Sequence, residues 1–326
     1  MKILVTGGAG YIGSFMVKRL VEENFDIVVL DSLERGHKEV IAPEAQLEVG
    51  NLLDTSFIEE VFSKHAFDGI IHFAGYISVG ESMEHPDRYF QNNTHATYNL
   101  AEAAVKHKID KIIFSSTAAV YGDPLKSPID EEHPKNPTSV YGESKLMVER
   151  MLQWYQKIHG LNYVALRYFN ACGAALDGSS GEMHEPETHI IPNAINALLN
   201  DKPFTLFGDD YKTPDGTCVR DYIHVLDLVE AHVLALKKLQ KETGGFAYNV
   251  GTGNGYSNKE IIAMIKQVSG KDFSVSIEPR RPGDADSLVA DSTKIRTELS
   301  FSPQHSDLET IIKSAWAWHT KNKNDH

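Results

Sequence analysis

Two cysteines, Cys172 and Cys218, are all that this chain of 326 residues contains. So few exclude a disulfide framework, and neither stands in a CxxC or similar ligand spacing. Positive charge is also short: 32 Lys and Arg against 45 Asp and Glu leave a formal net charge of −13. That excess argues against nucleic acid or an anionic membrane as the main partner, although a few converging arginines can still make a cationic cleft. No apolar run is long enough to span a bilayer, and the opening MKILVTGGAG has no charged-then-apolar leader. The expectation is a cytoplasmic protein. Core-forming material is plentiful, with 41% hydrophobic and 24% charged residues, which suits a folded chain of about two domains.

Short apolar runs alternate with amphipathic stretches. Strands are expected at Lys2–Thr6, Asp26–Asp31, Leu47–Val49, Gly69–Phe73, Lys111–Ser115 and Tyr163–Tyr168. Helices are expected near Ile12–Glu23, Thr55–His65, Pro86–Lys106 and Tyr141–His159. This alternation predicts βαβ units and a doubly wound, mainly parallel α/β sheet. After Phe169 the segments shorten, and residues 173–188 are rich in Gly, Ser, Glu and Pro. A smaller second lobe is therefore expected to begin near residue 172.

The first strand runs into Gly7-Gly8-Ala9-Gly10-Tyr11-Ile12-Gly13. Gly7 and Gly10 permit a tight turn against a pyrophosphate, which can then rest on the free N–H groups of the following helix. Gly13 lets that helix pack closely on the strand. Asp31 ends the next strand, where a carboxylate can accept from the ribose hydroxyls and repel a 2′-phosphate. Strand, turn, helix and acid in register favour NAD over NADP.

Tyr141 and Lys145 are four apart at the start of a predicted helix, which puts them on one face. A free phenol has a pKa of about 10 and is a poor base at neutral pH. A nearby ammonium, with the positive nicotinamide ring, favours the phenolate. Ser115-Ser116-Thr117 ends a predicted strand, and hydroxyls at the carboxyl end of a strand face the ligand crevice of such a sheet.

TGGAGYIG, HFAG (72–75), SSTAAVYG (115–122), YGESK (141–145), RYFNACG (167–173) and VRDYIHV (219–225) stand in order. Together with FGDDYKTPDGTCVRDYIHV (207–225) and PRRPGD (279–284), they resemble the extended short-chain dehydrogenase/reductases. The likeness is strongest to the branch that epimerises UDP-hexoses at C4, and it runs from Lys2 to about Trp318.

The resemblance implies an NAD-binding Rossmann domain over 1–171 and a nucleotide-sugar lobe over 172–326, with part of 219–250 returning to the first domain. It implies exchange of UDP-glucose and UDP-galactose through a transient 4-keto sugar and a retained NAD, with Thr117, Tyr141 and Lys145 as the catalytic group. Besides Gly7, Gly10, Tyr11, Ile12, Gly13 and Asp31, the NAD site takes Asn51, Leu52, Phe73, Ala74, Gly75, Asn92 and Phe169. The UDP moiety takes Asn170, His189, Thr205, Phe207, Arg220, Arg281 and Asp284. Paired arginines suit a diphosphate because each can engage its oxygens bidentately. A homodimer is implied too, through the Tyr141 helix and the long helix before it.

Three positions depart from the common pattern. Ile77 replaces a Lys near the NAD ribose, so looser cofactor binding is expected. Asn51 replaces an Asp near the adenine. Leu288 stands where some members have a large Tyr near C2 of the sugar, which predicts weak use of UDP-N-acetylglucosamine at best.

Rival readings are a 4-epimerase of another UDP-sugar (N-acetylglucosamine or glucuronate) and a non-catalytic NAD-binding regulator. A dehydratase places an acidic pair after the threonine, and this chain has Ala118 and Ala119 there. His184, Glu185, Glu187 and His189 cluster without a strong ligand motif, so a polar loop over the substrate is expected rather than a metal site.

Overall fold

The computed structural model describes residues 1–280 and 284–324. In chain order come β1 (Lys2–Thr6), α1 (Tyr11–Glu22), β2 (Asp26–Asp31), β3 (Gln46–Val49), α2 (Thr55–Lys64) and β4 (Gly69–His72). Then follow α3 (Val79–Glu84), α4 (Pro86–Tyr89), α5 (Ala96–Lys106), β5 (Lys111–Thr117), α6 (Val140–His159) and β6 (Asn162–Tyr168). The second half holds β7 (Asn170–Cys172), α7 (Ile190–Leu199), β8 (Phe204–Phe207), β9 (Val219–His224), α8 (Val225–Leu239) and β10 (Gly245–Val250). It closes with β11 (Gly255–Ser257), α9 (Asn258–Ser269), β12 (Val275–Glu278), β13 (Ser287–Leu288), α10 (Thr293–Leu299) and α11 (Leu308–Asn324).

Seven strands form the main sheet in the order β10-β6-β5-β4-β1-β2-β3, every pair parallel. This is the doubly wound α/β sheet that the alternation predicts. Successive strand side chains point to opposite faces. Ile3 and Val5 accordingly pack with Phe15, Leu20, Leu228 and Val229 of α1 and α8, while Leu4 packs with Ile58, Leu100 and Val148 of α2, α5 and α6. The strand order reverses between β1 and β4, and ligands of such sheets bind beyond the carboxyl ends at that reversal.

The predicted helix over Pro86–Lys106 is not a single α-helix. After α4, residues Phe90–His95 form a π turn before α5 begins. The wider turn suits the polar side chains within it. Asn93 is buried and donates from Nδ2 to the Tyr76 carbonyl (3.0 Å) and to Ser144 Oγ (3.1 Å). Turns of this kind frequently occur at functional sites.

Around the smaller sheets, Ile191, Ile195, Ile261, Ile265, Ile311 and Ile312 of α7, α9 and α11 build a separate core. β9 pairs with β7, β11 and β13, and β8 pairs with β12. No helix among the described residues is long and apolar enough to cross a membrane.

Candidate active site

The glycine turn sits at the sheet reversal. Gly7 has φ +72°, and a Cβ there would lie 2.6 Å from the Ala74 nitrogen. A Cβ on Gly13 would lie 2.1 Å from the Gly7 carbonyl oxygen. Neither position admits a larger residue. No side chain caps α1, so its first N–H groups face the crevice as an anion seat. The buried Asp31 carboxylate accepts from the N–H groups of Ala9 and Leu33, both at 2.9 Å, which holds it beside the turn. Such a cradle fits a dinucleotide: a close backbone approach, free N–H groups and an acid at the neighbouring strand end.

Phe73 and Ala74 leave β4 by donating their N–H groups to the Thr6 carbonyl, at 2.9 and 3.1 Å. Asn51, after β3, accepts from the Leu53 N–H at 2.9 Å, and the carbonyl of buried Leu52 accepts from Asn99 at 3.0 Å. Two loops that line the cavity, one after β2 and one after β4, also meet. Arg35 donates twice to Glu81 (2.7 and 2.9 Å), Arg88 donates to Glu81 (2.9 Å), and the Tyr76 hydroxyl donates to Glu34 (2.7 Å). The Arg35 and Arg88 guanidinium groups lie 4.4 and 5.0 Å from the centre of the Tyr76 ring.

α6 begins on Ser139, whose hydroxyl accepts from the Gly142 N–H at 3.1 Å, and ends on Gly160 at φ +72°. One face of its first turns is buried with Tyr141 and Lys145. Lys145 Nζ donates to the Ser115 carbonyl at 3.0 Å and lies 5.0 Å from the centre of the Phe114 ring. Burial pushes this ammonium down to about 8. Burial also raises the Tyr141 phenol, and a hydrogen bond with Thr117 offsets only part of that rise. Thr117 Oγ1 accepts from the Ala119 N–H at 3.1 Å, which leaves its own proton to donate.

A buried ion pair braces this group. Arg167 on β6 donates to Glu149 on α6 at 2.9 and 2.6 Å, and Glu149 also accepts from Ser116 at 2.6 Å. Glu149 lies one helical turn beyond Lys145, and Ser116 precedes Thr117.

Further residues that line the cavity follow β6 in the chain. Asn170 donates to the Asp221 carbonyl at 2.8 Å. Thr205 and Phe207 point to the open face of β8, while Phe204 and Leu206 enter the core. Arg220 donates to the carbonyls of Val219 and Ala285, both at 2.9 Å, and lies 3.6 Å from Asp284. Arg281 lies outside the described residues. Leu288, like Ala118 and Phe169, packs against the buried cluster of Val120, Tyr121, Ile129 and Leu146. All the other residues singled out for cofactor, catalysis or UDP line one continuous cavity of about 1770 Å³, as do Asn92, Ile77 and Leu288.

Sequence reasoning missed Tyr168, whose hydroxyl meets that of Ser115 on the cavity wall, and Glu182. Glu182, rather than the exposed Glu185, joins His184, Glu187 and His189 in one cluster. Burial alone would raise Glu182, but the neighbouring His189 and His184 hold it at about 2. Only folding reveals this, since Glu182 carries no spacing signal distinct from its neighbours.

The model of the NAD dependent epimerase/dehydratase family matches residues 3–251. The UDP-glucose 4-epimerase of Lactobacillus helveticus is 48% identical over 98% of this chain and 97% of its own length. The structure of UDP-glucose 4-epimerase from Bifidobacterium longum in complex with NAD+ and UDP is 36% identical, with TM-score 0.94 and full coverage of both chains. That of the UDP-Glc/GlcNAc 4-epimerase from Campylobacter jejuni is 41% identical, with TM-score 0.87 over 98% of this chain and 99% of that one.

Proposed function

The chain belongs to the NAD dependent epimerase/dehydratase family, and from that premise we propose that it interconverts UDP-glucose and UDP-galactose by inverting C4. The observation that carries this reading is the single cavity joining the glycine turn, the Thr117/Tyr141/Lys145 group and Arg220. Ala118 and Ala119, following Thr117, can neither give nor take a proton, which disfavours elimination of water and with it the dehydratase branch.

NAD, when bound on the glycine turn, supplies the acceptor and then the donor of the C4 hydrogen. The protein does the rest. Tyr141 takes the C4 hydroxyl proton and returns it, while Thr117 donates a hydrogen bond to the same sugar oxygen. Lys145 retains further N–H donors for the cofactor ribose, beyond the one held by Ser115. Asn51, Leu52, Phe73, Ala74, Gly75, Asn92 and Phe169 wall the NAD side. Asn170, His189, Thr205, Phe207, Arg220 and Asp284 hold the UDP moiety, and Arg281 is assigned to the diphosphate on sequence grounds. The division into lobes at residue 172 belongs to the same proposal.

The interlocked loops of Glu34, Arg35, Tyr76, Glu81 and Arg88 line the same cavity and support a retained cofactor. A homodimer is proposed through α6 and the α4–α5 helix pair. Met147, Met151, Trp154 and Ile158 form an apolar stripe at helical spacing, and the first two border an apolar hollow with Phe90 and Tyr98. Cys172 and Cys218 are buried and not joined to each other, which suits the cytoplasm, where we place the protein.

The test is direct. Purified protein mixed with UDP-galactose, without added NAD, should produce UDP-glucose. Bound NAD together with unchanged UDP-galactose would instead favour a regulator.

A further inference from the structure

The loop that leads into α7 draws four metal-type donors together. Glu182, His184, Glu187 and His189 each offer one ligand atom, and these atoms all lie within 4.8 Å of one another. His189 Nδ1 contacts Glu182 Oε1 and lies 3.6 Å from Glu187 Oε1. His184 Nδ1 lies 3.0 Å from the same Glu182 oxygen, an ion-pair contact outside good hydrogen-bond geometry. A cation would accept its lone pair together with those of the other three donors.

We propose that Glu182, His184, Glu187 and His189 bind one divalent first-row cation, with Zn²⁺ the best match to two imidazole nitrogens and two carboxylate oxygens. The backbone around the donors is already held. Trp318 Nε1 donates to the Glu182 carbonyl at 3.1 Å, and Asn193 Nδ2 donates to the Glu187 carbonyl at 3.2 Å. Glu187 itself accepts from the N–H groups of Thr188 and His189, at 2.7 and 2.8 Å. Such outer contacts orient first ligands and raise affinity.

The role is to shape the wall of the cavity. His184 meets the Tyr11 ring edge-on at 6.2 Å, so the cluster touches the glycine turn from the second lobe. His184 and His189 both line the cavity. A dication would fix both imidazoles and so that stretch of the wall; this role rests on the nucleotide-sugar reading, whereas metal binding does not.

Untagged protein grown with Zn²⁺ and passed through gel filtration should carry about one Zn²⁺ per chain by elemental analysis. A His184→Ala/Glu187→Gln variant should carry little. After chelation with its NAD in place, the protein should take up Zn²⁺ alone in calorimetry and melt at higher temperature. Co²⁺ in its place should give the strong visible absorption of a four-coordinate site. Zn²⁺ uptake no tighter than that of the double variant would overturn the proposal. Should that variant not fold, a wild-type protein without Zn²⁺ and without the Co²⁺ band overturns it equally. None of these readings involves a sugar nucleotide, so their failure leaves the epimerase reading intact, and loss of epimerase activity leaves theirs intact.

Discussion

Burial raises the Tyr141 phenol while Lys145 directs its ammonium at the Ser115 carbonyl. A nearby ammonium and the positive ring of a bound nicotinamide both favour the phenolate. Tyr141→Phe should lower turnover by about 10²–10⁴-fold while UDP binding persists. The wild-type rate should climb with pH as the phenol ionises, and the variant should lose that climb. Activity within about tenfold of the parent would remove the general-base role. Leu288 lines the cavity, and its side chain is intermediate in size between glycine and tyrosine. UDP-N-acetylglucosamine should be turned over weakly, and Leu288→Gly should improve it about tenfold relative to UDP-glucose. Equal turnover of both sugars by the wild type sinks that expectation, and the Campylobacter jejuni relative makes the comparison worthwhile.

Among the elements, α6 does most to assemble the site. Ser139 and Gly160 set its ends, and both signals stand in the sequence. Its fourfold spacing of Tyr141 and Lys145 was equally legible. What holds it against β5 and β6 was not: Glu149, Ser116 and Arg167 lie far apart in the chain and meet only through the sheet. Removing one partner of a buried pair leaves an uncompensated charge. Arg167→Ala should therefore cost about 3–5 kcal/mol in chemical denaturation. A loss below about 1 kcal/mol, of the kind exposed pairs give, would show that water reaches Glu149. The π turn at Phe90–His95 was likewise hidden, because it answers to Tyr76 and Ser144 rather than to local periodicity.

At the scale of the whole molecule, two properties are open to measurement. The stripe of Met147, Met151, Trp154 and Ile158 predicts a dimer. Sedimentation should give twice the chain mass at micromolar concentration, and Met147→Glu should shift the equilibrium toward monomer. A monomeric wild type removes the claim. Acid stability is the second. Burial holds His72 at about 3, with Lys145 adding to the effect, and His224 and His232 at about 4. All three are neutral in the folded protein but titrate near 6.5 in the unfolded chain. Below that value the unfolded chain binds more protons, so stability present above about pH 6.5 is lost as pH falls towards 4. The loss approaches about 1.4 kcal/mol per pH unit for each histidine. A melting temperature flat from about pH 7 to 5 would mean that these rings are protonated in the fold.

The sequence by itself determined the βαβ alternation, the glycine turn with Asp31, and the Tyr141–Lys145 face. These depend on neighbours in the chain, through periodicity and backbone sterics. Resemblance added the cavity residues that follow β6, but not how they reach it. Tertiary structure alone decided which carbonyl Lys145 donates to, which residues brace α6, and that Glu182 rather than Glu185 meets His184, Glu187 and His189. Each of those outcomes depends on burial and on contacts between distant segments, and no local pattern encodes them.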